Sequence, residues 1–178
     1  MGRVNLPERV KLIVGLIAGD PELFSKIDKA LEKALKNHID FDSGIIDFAY
    51  TDYYNEEMGP NLKRRFLSFK GHVSLEDIYE VKLKTNSLER RFSEDGHRTV
   101  NIDPGYLDLS KLVLFSTKDY THRIYIAKGI FAEATLFYQN KTFNPWPWTY
   151  PDYKTKSYIE IFNHIREIYK ADKPLKDA

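Results

Sequence analysis

The stretch VNIDPGYL, residues 100–107, decides how the chain is put together. Its first residues read as the end of a strand. Asp103-Pro104-Gly105-Tyr106 then joins two strong turn formers to an acid able to bond its own backbone. On that reading Arg98–Ile102 is a strand and the Asp-Pro-Gly-Tyr segment a turn. A short buried helix follows over Leu109–Thr117, with apolar Leu109, Leu112, Val113 and Phe115. A turn that opens a helix also leaves free amides, which make an anion site. Asp103 would repel a bare anion there, so the loop suits a magnesium-phosphate ligand or a sugar hydroxyl better. Turn and binding loop are both open at this level.

Working outward, KLIVGLIA (11–18) is a short apolar run of the kind a buried strand shows. Asp20-Pro21-Glu22 follows as a helix start, with an acid cap, proline at the first helical position and a second acid. Leu23, Ile27, Leu31 and Ala34 carry that helix's apolar stripe to about Asn37. Gly44–Tyr50 reads as a second strand and LKRRFLSFKG (62–71) as a third. Ser74 and Asp77 open another helix with its stripe at Ile78, Val81, Thr85, Leu88 and Phe92, ended by Gly96. With Arg98–Ile102 this gives strand-helix-strand-strand-helix-strand, the ferredoxin-like order. Beyond Thr117, His122–Ala127 and Ile130–Tyr138 flank Lys128-Gly129 as a hairpin. The loop NPWPWTYPDY leads to a last helix opened by Ser157, and the tail ADKPLKDA reads as frayed. The fold class is therefore α+β: one domain over residues 1–178, its core at about 10–171. Its ferredoxin-like first half is extended by a helix, a β-hairpin and a C-terminal helix.

The bulk numbers exclude several functions. A chain of 178 residues with 42% hydrophobic and 14% aromatic content sustains a core and is not disordered. Its 27 basic and 26 acidic side chains leave a net charge of +1, so nucleic acid is not bound by bulk charge. There is no cysteine, hence no disulfide, thiolate metal site or cysteine nucleophile. The apolar run near the N-terminus is too short to span a bilayer, and a cytoplasmic protein is expected. VGLIAGD is followed by no Gly-Lys-Ser/Thr, so a phosphate-cradling loop is excluded, and no zinc-protease or nucleophile-elbow motif occurs.

What remains is a cluster of chemistry-bearing residues around the 100–138 region. Lys111 and Lys118, seven apart, share one face of the expected 109–117 helix, with His122 and Arg123 just beyond. Snorkelling lysines are the bland account, and neutralisation of a ligand's phosphate is the other. Glu133 shares a strand face with Phe131, Thr135 and Phe137, where a carboxylate needs a partner. A two-residue turn at Lys128-Gly129 puts Ile124 opposite Glu133 and His122 diagonal to it, whereas a longer turn brings Arg123 there instead. Asp52 and Arg64, in TDYYNEEMG and the strand after it, either neutralise neighbouring charges or wall the same site, and Trp148 and Tyr150, in the aromatic loop, either lid the core or stack on a base or sugar.

Three blocks also resemble one family: TDYYNEEMGPNLKRRFLSF (51–69), the long segment 100–138 that opens VNIDPGYLDLSKLVLF, and PWTYPDY (147–153). They are similar to the signature blocks of the domain of unknown function (DUF) family 4416 of bacteria and archaea. The similarity spans roughly Val10 to Ala171. The resemblance supplies motif positions and implies no mechanism.

The expectation is a soluble protein that binds a phosphorylated small molecule or nucleotide. Asp103, His122 and Glu133 are the candidate catalytic groups for metal-assisted phosphoryl chemistry, and Asp103 and Glu133 the candidate magnesium ligands. Gly105, Tyr106, Lys111, Lys118, Arg123, Asp52, Arg64, Trp148 and Tyr150 are the candidate ligand-binding residues. The rivals are a non-catalytic RNA-binding module, with Lys63, Arg64, Arg65, Phe66 and Phe69 and the Trp-Tyr loop as a base-stacking platform, and a protein-interaction domain.

Overall fold

The computed structural model describes residues 2–51 and 53–172. Strand β1 (Lys11–Ala18) is buried along its whole length. It lies between β4 (Lys63–Phe69) and β5 (Val100–Leu107) and runs antiparallel to both. A strand covered on both faces has no polar side to show, which is why its sequence is a continuous apolar run. The other strands are β2 (Ile39–Asp42), β3 (Ile46–Asp47), β6 (Lys111–Ser116), β7 (Ile124–Ala127), β8 (Ile130–Gln139) and β9 (Thr142–Pro145). They join in one open sheet of order β2-β4-β1-β5-β6-β8-β7, with β3 on β4 and β9 on β8, every pairing antiparallel. With helices α1 (Leu23–Leu35), α2 (Asn55–Met58), α3 (Tyr79–Arg91) and α4 (Lys156–Ala171), the protein is α+β.

Alternation along β1 sorts the core into two layers. Leu12, Val14 and Leu16 face α1 and α3, where they meet Phe24, Ile27, Leu31 and Leu88. Ile13 faces α4 and joins Phe66, Leu114, Tyr158, Phe162 and Ile165. Ahead of helix α1 the Asp20 carboxylate accepts from the Glu22 amide at 2.8 Å, but the helix itself begins at Leu23, so that Glu22 and not Asp20 stands at its N-cap. Helix α4 is capped by the Thr155 hydroxyl, two residues ahead of the expected Ser157.

Asp103-Pro104-Gly105-Tyr106 makes no turn, since all four residues lie inside β5. The reason is a one-sided loss of pairing. Strands β5 and β6 are paired only at Gly105–Leu107 with Leu112–Leu114. Ahead of that, the Ile102 amide donates to Glu89 Oε1 at 2.6 Å and its carbonyl accepts from Lys82 Nζ at 3.0 Å. Two side chains of α3 thus stand in for the missing strand. Pro104 lies two residues on, so its absent N–H faces the same side, where no ladder bond is lost. Gly105 is required by close approach: a Cβ there would come within 2.1 Å of the Val113 carbonyl oxygen.

The segment expected as a helix, Leu109–Thr117, is strand β6. Leu112, Val113, Leu114 and Phe115 are all buried, so both of its faces are covered. A run apolar on both faces meets helical spacing by accident. Helix-terminal amides are therefore absent behind the Asp-Pro-Gly-Tyr segment, and Lys111 and Lys118 share no helical face. The second expected strand, Gly44–Tyr50, shrinks to β3 and is preceded by β2, while α2 and β9 had no reading in sequence. The hairpin turn at Lys128 (φ 51°) and Gly129 (φ 78°) has two residues, but a bulge between Tyr125 and Ala127 places Ile124 opposite Ala132, not Glu133. The last six residues of the tail lie outside the described residues. Among the described residues, no helix is long and apolar enough to cross a membrane.

Candidate functional site

Where β6 leaves β5, the sheet opens into a cavity of about 820 Å³. Asp103, Lys118, His122, Arg123, Glu133, Arg64, Trp148 and Tyr150 all border it, drawn from β5, the β6–β7 connection, β8, β4 and the aromatic loop. Gly105 and Tyr106 do not. Gly105 serves the β5–β6 contact, and Tyr106 packs against Phe115 with ring centroids 6.0 Å apart. Lys111 sits at the far end of β6, paired with Asp108 at 2.6 Å. Asp52 lies outside the described residues.

The floor is a string of polar side chains. Arg98 donates to Asn101 Oδ1 at 3.0 Å, and Asn101 donates to Asp103 Oδ2 at 2.6 Å. Asp103 also lies 3.7 Å from Arg64 Nη1 and 4.0 Å from Lys82 Nζ. Arg64 donates through Nη2 to Asp152 at 2.8 Å. It is 3% exposed and ringed by Phe48, Phe66, Tyr153 and Tyr158, 5.0–6.0 Å from its guanidinium carbon. Gly15 makes room for it, because a Cβ there would stand 3.2 Å from Nη1. Burial works against the Arg64 charge, yet Tyr153, Asp152 and Asp103 together hold its pKa above the usual arginine value. Its Nε and Nη1, and the hydroxyl of Tyr153, have no hydrogen-bond partner. Burial pushes the Glu89 carboxyl up, with Lys82 opposing.

The other wall centres on Glu133, 3% exposed. It accepts from Arg123 Nε at 2.7 Å and lies 3.2 Å from His122 Nε2. Sequence left a choice between His122 and Arg123 at this carboxylate. Both reach it, because β7 starts only at Ile124 and strand alternation does not govern the two residues before it. Tyr120, His122, Trp148 and Trp146 form a column of near-parallel rings, with centroids 6.2, 5.9 and 5.1 Å apart. The aromatic loop is fastened to β8 by Trp148 Nε1 to the Ala134 carbonyl at 3.1 Å and by the Thr149 hydroxyl to the Thr135 carbonyl. Over the opening, Lys118 Nζ lies 3.0 Å from the Tyr53 hydroxyl and 5.1 Å from its ring centre, and this ammonium lowers the phenol's pKa.

Sequence reading missed Lys82, Glu89, Arg98, Asn101 and Asp152. Lys82 and Glu89 are seven apart on α3, flanking the apolar stripe, which is the signal that places both beside the sheet. Among the described residues, no three carboxylate or imidazole side chains are grouped to hold a metal. Of the strand residues expected to stack RNA bases, Arg64, Phe66 and Phe69 are buried, while Arg65 is held by Asp28 and Asp42 and the part-exposed Lys63 by Asp47.

Fold and site together define an α+β protein with a mixed-charge, aromatic-rimmed cavity at a split in an antiparallel sheet. The chain belongs to the family described as Domain of unknown function (DUF4416), which it matches over residues 8–169. No curated protein matched it.

Proposed function

We propose that the cavity binds a phosphorylated small molecule, a nucleotide or sugar phosphate. The carrying observation is Arg64, a buried guanidinium lining the cavity, two of whose nitrogens make no hydrogen bond. Leaving charged donors unsatisfied costs stability, and a ligand that accepts from them repays it. Among the described residues the Lys118 ammonium meets the exposed Tyr53 hydroxyl, a contact it can leave to turn to phosphate. The cavity's size falls within the range of small-molecule sites, and the ring column offers a stacking edge.

If the ligand reacts, proton handling falls to His122, oriented by Glu133, with Asp103 as the second carboxylate. Both carboxylates already face cations, so magnesium would enter with the ligand's phosphate oxygens supplying most of its coordination. The same reading takes the first half as ferredoxin-like. Supporting it are the order β2-β4-β1-β5, all antiparallel, and α1 and α3 on one face.

A thermal-shift screen of nucleotides and sugar phosphates, with and without magnesium, tests the proposal. A compound at a hundred times its dissociation constant adds about 2.7 kcal/mol, a rise of roughly 5–10 °C for a chain of this size. Lys118→Ala should reduce that rise without lowering the melting temperature of the free protein. A flat screen across all phosphorylated compounds rejects the proposal.

A further inference from the structure

Charge is divided unevenly within the cavity. Around the floor stand Asp103, Asp152 and Glu89 against Arg64 and Lys82, while Arg98 is neutralised by Glu57 in a bidentate pair at 2.8 and 2.6 Å. On the opposite wall Arg123 answers Glu133, which leaves Lys118 as an uncancelled cation, exposed at the rim. The groups that make no hydrogen bond at the floor are nonetheless donors: Arg64 Nε and Nη1 and the Tyr153 hydroxyl, with Nη1 3.7 Å from Asp103 and both Nη1 and the Tyr153 hydroxyl beside Gly15. A phosphate seated there would meet Arg64 but also the carboxylates of Asp103 and Asp152 on either side of it. An uncharged group that both accepts and donates fits without that repulsion. Its oxygen takes the Arg64 and Tyr153 protons, and its own hydrogen goes to Asp103.

Resting on the phosphorylated-ligand reading above, we infer that the ligand enters with its neutral, hydroxyl-bearing end inward, against Asp103 and Arg64, and its phosphate outward at Lys118. The substrate class is a phosphorylated polyol, such as a sugar phosphate or the ribose-phosphate part of a nucleotide, and not a bare anion or a polyphosphate held at the floor. Asp103 is then the specificity group.

The sign of the effect of Asp103→Asn separates the two orientations. The substitution keeps shape and removes the negative charge. Ribose 5-phosphate, glucose 6-phosphate, AMP and inorganic phosphate are titrated calorimetrically into the wild type, Asp103→Asn and Lys118→Ala. With hydroxyls at the floor, Asp103→Asn weakens the binding of the organic phosphates about tenfold or more, the size expected for losing a hydrogen bond to a charged group. It leaves inorganic phosphate unchanged, and Lys118→Ala weakens all four. With an anion at the floor, Asp103→Asn relieves repulsion and tightens binding. Tighter or unchanged binding of the organic phosphates in Asp103→Asn overturns this orientation while leaving the phosphorylated-ligand reading standing. Failure of all four probes to bind the wild type, in a protein whose thermal screen was also flat, removes both.

Discussion

All three guanidinium nitrogens of Arg123 are occupied. Nε donates to Glu133, Nη1 to the Ser116 hydroxyl and the Lys118 carbonyl at 3.0 Å each, and Nη2 to the Tyr150 hydroxyl. Arg123→Ala therefore strips a buried carboxylate of its guanidinium and loosens three segments at once. A loss of about 3–5 kcal/mol, as for breaking one side of a buried ion pair, should appear in urea unfolding. Lys118→Ala, five residues earlier and exposed, should change stability by no more than about 0.5 kcal/mol. Equal stabilities for the two variants would contradict the structural role given to Arg123. Gly105 makes a stricter demand, since the atoms its Cβ would meet are the Val113 oxygen at 2.1 Å and the Leu114 Cδ2 at 2.9 Å. The oxygen belongs to a paired backbone and has no rotamer to escape into. Gly105→Ala should cost about 3 kcal/mol or more by overpacking, read from the same urea midpoints.

Helix α2 is too short to be stable by itself. It is held across the cavity by Glu57, whose carboxylate takes two Arg98 side-chain nitrogens and the Arg98 amide. The Arg98 hydrogen bond, opposed by partial burial, holds the Glu57 pKa below its ordinary 4.5. A carboxylate lowered in the folded state contributes stability that is fully present above pH 4.5 and is lost as pH falls through the lowered value. Protection of the amides over residues 53–62, measured against their intrinsic exchange rates, should therefore fall on acidification below pH 4.5. In Glu57→Gln it should already be low at neutral pH. Rates that follow only the chemical pH dependence would show that the helix is held by something else. This helix was not legible in TDYYNEEMGPN, because its partner lies 41 residues away and no local pattern announces it. By contrast, β1, β4, α1, α3 and α4 were legible, each as an apolar run or a one-sided stripe. Strand β6 was misread because burial on both faces erases periodicity. The Asp-Pro-Gly-Tyr segment was misread because the fitness of proline inside a strand depends on where the neighbouring strand stops. His122, Arg123 and Glu133 were legible as polar residues in an apolar setting, whereas Lys82 and Glu89 carry charges beside a helix's apolar stripe, where nothing local separates a side chain turned to the sheet from one turned to water.

The sheet is covered on one face by α1 and α3 and on the other by α4, and α4 is fastened at two separate ends. At its start the aromatic loop brings Asp152 to Arg64, so this end is part of the cavity floor. At its finish, Lys11 of β1, fully buried, binds Asp40 of β2 and Asp172 beyond the helix, and the Tyr169 hydroxyl donates to the Arg9 carbonyl at 2.7 Å. Lys11→Met keeps the bulk of the side chain and removes the charge. Asp172 is 41% exposed and can turn to water, and Asp40 keeps the Ser68 hydroxyl at 2.6 Å. The loss should then be about 2–3 kcal/mol, below the full cost of a stranded buried charge, or roughly 5–10 °C in melting temperature. Lys11→Met combined with Asp40→Asn should recover part of it, because the second change removes the carboxylate the first left unpaired. Strict additivity of the two losses would place the partner of Lys11 elsewhere. Since the fastening at Lys11 and the cavity floor lie at opposite ends of α4, the stabilisation produced by a bound phosphorylated compound should be the same in Lys11→Met as in the wild type. A reduced shift would mean that α4 transmits strain along its length, joining the closure of the molecule to the state of the site.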